Sequence, residues 1–84
     1  MKELTFWTIK KGETFLNDIT EIGLMLTSVP DLYESEDDAK SIIQDFREGN
    51  VIHTENGSFQ VKEFEVVEVK MQIISKQKKV YPKL

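Results

Sequence analysis

The sequence predicts an α+β domain: an antiparallel sheet of about five to six strands, built from β-hairpins, with a single amphipathic helix on one face. Three observations carry the prediction. Residues 35–49, S-E-D-D-A-K-S-I-I-Q-D-F-R-E-G, hold an apolar stripe at helical spacing, with Ala39, Ile42, Ile43 and Phe46 at i, i+3, i+4 and i+7. The flanking sequence is rich in β-branched and aromatic residues that alternate with polar ones, the period of a half-buried strand. Asn56-Gly57 separates two such runs and has the composition of a tight hairpin turn.

Taken in order, residues 4–10 form the first strand, with Trp7 and Ile9 on one face and Phe6 and Thr8 on the other. Lys11-Gly12 turns the chain and residues 13–17 return, so the first two strands make a hairpin. Residues 22–27 follow a bend at Asn17-Asp18. Ile19, Ile22 and Met25 also fit a short helical turn, but Gly23 and the threonines favour a strand. Residues 28–34 are an entry loop: Pro30 stops any strand, and Leu32 or Tyr33 can staple the first helical turn.

Ser35 is the N-cap expected for the helix, with Asp38 three residues on as a variant capping box. Glu36, Asp37 and Asp38 suit the positive end of the helix dipole, Arg47 the negative end, and Gly49-Asn50 a left-handed stop. Residues 51–54 and 59–62 then flank the Asn-Gly turn. Between Phe59 and Ser75 the apolar positions change phase, from odd to even to odd, which a single strand cannot satisfy. A break near residues 62–65 with a last strand over residues 66–74 resolves this. Phe64, Val66 and Ile74 fall off the main apolar face of that strand, which predicts a second apolar sheet face and, through it, a twofold homodimer.

Residues 1–75 are one domain and residues 76–84 a lysine-rich tail, flexible by composition. At 84 residues the chain is near the lower size limit for a single core without staples. It has no cysteine, which removes disulfides and thiolate metal sites and suits a reducing cytoplasm, the expected location. The N-terminal residues lack the apolar run of a signal peptide, and no run reaches the ~18 apolar residues of a membrane span, so no membrane association is expected.

Charge is segregated. Residues 1–12 carry three lysines and one glutamate, net +2; residues 13–68 carry fourteen acids against Lys40, Arg47 and Lys62, net −11; residues 69–84 carry five lysines and no acid, net +5. An acidic body argues against duplex binding, which needs clustered Lys and Arg.

His53 is the only histidine, with no cysteine or second histidine to complete a zinc site, and it reads as a solvent-facing strand residue. Asp31, Glu34, Glu36, Asp37 and Asp38 lack the alternating acids, central glycine and terminal glutamate of a calcium loop. Ser35, Ser41, Ser58 and His53 invite a triad, but no G-x-S-x-G elbow is present, nor any phosphate-binding glycine loop or dinucleotide fingerprint. No metal, no cofactor and no catalysis are therefore expected.

The run F-W-T-I-K-K-G, a short hairpin, Y-E-S-E-D-D-A-K-S-I-I before the helix and E-F-E-V-V-E-V-K-M-Q-I at the end resemble, in layout over residues 4–75, small accessory proteins of phages and mobile elements. Some proteins of that type are similar to anti-CRISPR and other anti-defence inhibitors, which act by binding. The resemblance implies a cytoplasmic inhibitor or modulator of a host factor. The residues expected to bind a basic protein surface are Glu34, Glu36, Asp37, Asp38, Asp45 and Glu48. The alternative is a small-ligand or nucleic-acid accessory protein that uses the sheet face or the lysine tail.

Overall fold

The structure, a computed structural model, describes residues 2–73. Seven strands, one α-helix and one 3-10 turn run in the order β1 (Lys2–Lys11), β2 (Thr14–Ile19), β3 (Gly23–Thr27), α1 (Glu36–Phe46), β4 (Arg47–Glu48), β5 (Val51–Thr54), β6 (Gly57–Gln60), the 3-10 turn (Val61–Glu63) and β7 (Glu65–Ile73). The fold is α+β with one helix, as expected. The strands form two antiparallel sheets rather than one: four strands in the order β3-β2-β1-β7 and three in the order β4-β5-β6. The 3-10 turn separates them, and it is the break that the phase change in the sequence required. The lysines of residues 76–84 and Ile74 lie outside the described residues.

The long partners are β1 and β7, paired at nine positions from Lys2↔Ile73 to Lys10↔Glu65. The β1–β2 ladder, by contrast, holds only Lys10↔Phe15 and Lys11↔Thr14, because β2 leaves β1 to pair with β3. The edge of β1 that this exposes is taken by Tyr33. The Trp7 amide donates to the Tyr33 carbonyl and the Tyr33 amide to the Trp7 carbonyl, both at 2.8 Å. Backbone groups next to a core need such partners, so Tyr33 serves as a one-residue strand while its side chain packs against the core cluster. The entry loop is pinned by Asn17, whose Nδ2 donates to the Val29 carbonyl and to Thr27 Oγ1, each at 2.9 Å.

Ser35 caps α1: its Oγ accepts from the Asp38 amide at 3.0 Å. The helix ends earlier than the sequence suggests. Arg47 is already extended (φ −74°, ψ 145°), and residues 47 and 48 pair with Ile52 and Val51 as β4. Gly49, at φ +62°, therefore serves the β4–β5 turn instead of stopping a helix. Arg47 lies beyond the last helical turn, which holds no base.

Trp7, Ile9, Leu16, Leu24, Leu26, Phe64 and Val66 face the helix, where they meet Ala39, Ile42, Ile43, Ile52, Phe59 and Val61 in one core. Phe64 and Val66 thus belong to the covered face. The other sheet face carries Leu4, Phe6, Phe15, Val67, Val69 and Met71, which alternate with the core residues along β1, β2 and β7 and lie outside the core cluster. A second apolar face exists, but Val67, Val69 and Met71 form it, not Phe64 and Val66. Phe46, the last residue of the helical stripe, is 38% exposed and outside the core, because the chain leaves the helix at that point. Thr8 is fully buried on this second face, and its hydroxyl has no hydrogen-bond partner among the described residues. The β5–β6 turn ties the sheets together: the Glu55 amide donates to the Leu24 carbonyl and Asn56 Oδ1 accepts from the Leu26 amide, both at 2.8 Å. These bonds occupy the β3 edge, which would otherwise be open to a foreign strand.

Candidate functional site

At about 100° per residue, α1 has three sectors. One is the stripe on the core. Asp37, Asp38, Ser41 and Asp45 lie on the opposite sector, all exposed. Glu34 precedes this sector and Glu48 follows it in β4, both exposed. The helix therefore carries Asp37, Asp38 and Asp45 on its outward side, with Glu34 exposed just before it and Glu48 exposed just after it. Glu36 sits on the third sector, where its carboxylate pairs with Lys40 at 3.3 Å, four residues on. Glu34, Asp37, Asp38 and Asp45 make no ion pair among the described residues.

Glu48 has a second set of neighbours. His53 Nε2 lies 3.0 Å from Glu48 Oε1, and His53 Nδ1 lies 2.6 Å from Ser58 Oγ. The pairing His53↔Ser58 across β5 and β6, with Glu48 on β4, produces this row. It has the hydrogen-bond order of a nucleophile, a base and an orienting acid. All three residues are exposed to solvent, whereas activation of a serine requires a water-poor pocket and donors for an oxyanion. Among the described residues no group of three or more His, Cys, Asp or Glu could hold a metal ion.

The third sector of α1 faces a groove. Glu36, Lys40, Ile43, Gln44 and Arg47, with Val61, Phe64 and Val66 opposite, line a depression of about 320 Å³. Arg47, Asn50, Gln60, Val61 and Lys62 line a second of about 410 Å³. Arg47 and Val61 belong to both, so the two are neighbours along one groove. Sequence reasoning missed it. The signal was the shortage of bases in residues 13–68, whose three cations all stand here.

The Tyr33 hydroxyl is raised well above the usual phenol range, first by burial and then by the Asp31 carboxylate, which accepts its hydrogen bond at 3.2 Å. Asp31 also accepts from the Asp18 amide at 3.4 Å, so this contact fastens the entry loop and not a reactive site.

No family model, no curated protein and no solved structure matches this chain. No helix among the described residues is long and apolar enough to cross a membrane.

Proposed function

We propose that the protein is a non-catalytic binding module that docks a basic surface of a host protein through the outward acidic side of α1, and so inhibits or modulates it. The observation that carries this reading is the row Glu34, Asp37, Asp38 and Asp45, exposed and without an ion pair among the described residues. Opposed charge of this kind speeds encounter and selects the partner. Asp37 and Asp38 also sit in the first helical turn, where their charge is favourable for the fold itself. A role in binding is thus separable from stability at Glu34, Asp45 and Glu48. The layout shared with small phage and mobile-element proteins is consistent with an anti-defence role in a host cytoplasm. The test is capture of a host protein by the wild type and its loss when Glu34, Asp37, Asp45 and Glu48 are reversed to lysine. A captured protein that is retained by the reversed variant contradicts the reading.

The second apolar sheet face, whose residues lie outside the core cluster, favours a second contact, with another copy of the chain. Leu4, Phe6, Val67, Val69 and Met71 form its apolar centre, and Lys10 and Glu65 stand opposite each other at one end. A twofold axis running along the strands between β1 and β7 sets Lys10 of each copy over Glu65 of the other. Light scattering at micromolar concentration should report a dimer, and Val69→Glu should return a monomer. A monomer for the wild type contradicts this assembly.

A further inference from the structure

Three basic residues serve the fourteen acids of residues 13–68, and the fold gathers all three along one groove. Lys40 and Arg47 come from one side of α1 and its exit, seven residues apart. Lys62 comes from the 3-10 turn, which β4, β5 and β6 carry back beside the helix end. The acids nearest the groove are already engaged: Glu63 accepts from the Gln60 amide at 3.0 Å and pairs with Lys11 at 3.6 Å, Glu36 pairs with Lys40, and Glu48 meets His53. The larger depression is lined by Arg47 and Lys62 with two amides, Asn50 and Gln60, and no acid.

Arg47 is preset. Its Nε donates to the Gly49 carbonyl at 2.8 Å and its Nη2 to Asn50 Oδ1 at 3.3 Å, which fixes the guanidinium plane. Three of the roughly five N–H donors of a guanidinium remain for a ligand. Lys62 is exposed and makes no ion pair among the described residues. Beyond Arg47 the groove turns apolar along Ile43, Phe64 and Val66.

We propose that this groove binds an acidic, partly apolar peptide segment of a partner protein. A carboxylate sits between Arg47 and Lys62, and a neighbouring apolar side chain lies against Ile43 and Val66. Charge selects the occupant. A nucleic acid would bring a phosphate at every nucleotide towards a body of net −11, whereas a peptide brings a carboxylate only where the cations stand. The lysine-rich residues 69–84 carry no acid to offer. A lone phosphate would leave both the apolar depression and much of the 410 Å³ unfilled. Fork-shaped pairing of Arg47 with a carboxylate supplies both strength and direction. This site is separate from the acidic side of α1 and stands or falls without it.

The test is a titration of the isotope-labelled full chain, followed by amide NMR shifts, with three probes: a short capped peptide alternating leucine and glutamate, the same peptide with glutamine for glutamate, and sodium phosphate. The glutamate peptide should move the amides of Asn50, Gln60, Val61 and Lys62, and Lys62→Glu should weaken it by about tenfold or more, the worth of one charged hydrogen bond. Arg47→Lys, which keeps the charge and loses the fork, should weaken it as well. Lys62 makes no side-chain hydrogen bond or ion pair among the described residues, so Lys62→Glu remains decisive if the Arg47 variant melts early. Equal binding of the glutamine peptide, equal affinity for phosphate alone, shifts away from the groove, or indifference to Lys62→Glu would each overturn the proposal.

Discussion

The two solvent-facing sectors of α1 are built from adjacent residues and have opposite character. The outward sector, Asp37, Asp38, Ser41 and Asp45, is acidic, and among the described residues its hydrogen bonds stay within the helix and its cap: Ser41 Oγ donates to the Asp37 carbonyl at 2.9 Å and the Asp38 amide is held by Ser35. The groove sector, Lys40, Ile43, Gln44 and then Arg47, looks across at Val61, Phe64 and Val66 and is cationic and partly apolar. A shift of one residue in sequence moves a side chain from one environment to the other. The lesson is that a net charge of −11 over residues 13–68 describes neither surface: the acids spread outward and the bases converge.

The comparison depends first on α1 sitting on its core as described. Ile52 is fully buried beneath the helix, so Ile52→Ala should cost ~2–5 kcal/mol. Phe46, 38% exposed and outside the core, should cost clearly less on change to alanine. Chemical denaturation of both variants checks the order, and a larger loss at Phe46 would mean that the helix runs on past residue 46.

The orientation of the two sectors is set at the N-cap. Ser35→Ala should lose ~0.5–2 kcal/mol, because the Asp38 amide then has no acceptor. A neutral result would place the first turn elsewhere and rotate both sectors with it. Below the sheet, Thr8→Val keeps the shape and removes a buried hydroxyl that has no partner among the described residues. Since an unsatisfied buried group costs ~1–3 kcal/mol, this variant should melt at or above the wild-type temperature.

Tyr33 gives a smaller, pH-dependent effect. Burial and Asp31 keep its proton in the folded chain, while an unfolded tyrosine loses it near pH ~10. The unfolded state therefore binds fewer protons above that pH. The contribution of this group is intact below about pH 10 and is lost as the pH rises towards the folded value. Tyr33→Phe should flatten the alkaline limb of the melting-temperature profile, and an unchanged limb would remove Tyr33 as its cause.

Much of the fold was legible because local chemistry decides it. Ser35 caps, Asn56-Gly57 turns, and the apolar phase change at residues 62–65 marks a real break. What was not legible depends on partners distant in sequence. The early end of α1 follows from Arg47 and Glu48 finding Ile52 and Val51, and pairing of that kind has no local signature. The split into two sheets follows from the 3-10 turn, after which β7 pairs with the distant β1 instead of extending the β4-β5-β6 sheet. The acidic residues could be named as candidates because charge on a helix is periodic. The groove could not, because Lys62 reaches Arg47 only through the return of β5 and β6, and the Glu48, His53 and Ser58 row likewise needs three strands in register. The proposed function rests on the exposed acids of the helix and its flanks.

The central claim is that the outward acids make the encounter with a basic partner. The most direct measurement is the association rate of the partner captured by the wild type, followed by surface plasmon resonance as salt is raised. Three chains are compared: the wild type, the variant with Glu34, Asp37, Asp45 and Glu48 reversed to lysine, and one with Lys76, Lys78, Lys79 and Lys83 changed to glutamine. Exposed charges away from caps shift stability by only about ±0.5 kcal/mol each and Asp37, in the first helical turn, by about 1 kcal/mol, so against a total of ~5–15 kcal/mol the reversed variant should remain folded. The account predicts that it loses association, that salt slows the wild type in the same direction, and that the tail variant associates at least as well as the wild type. A tail variant that fails to bind while the four reversals bind as the wild type does would contradict it.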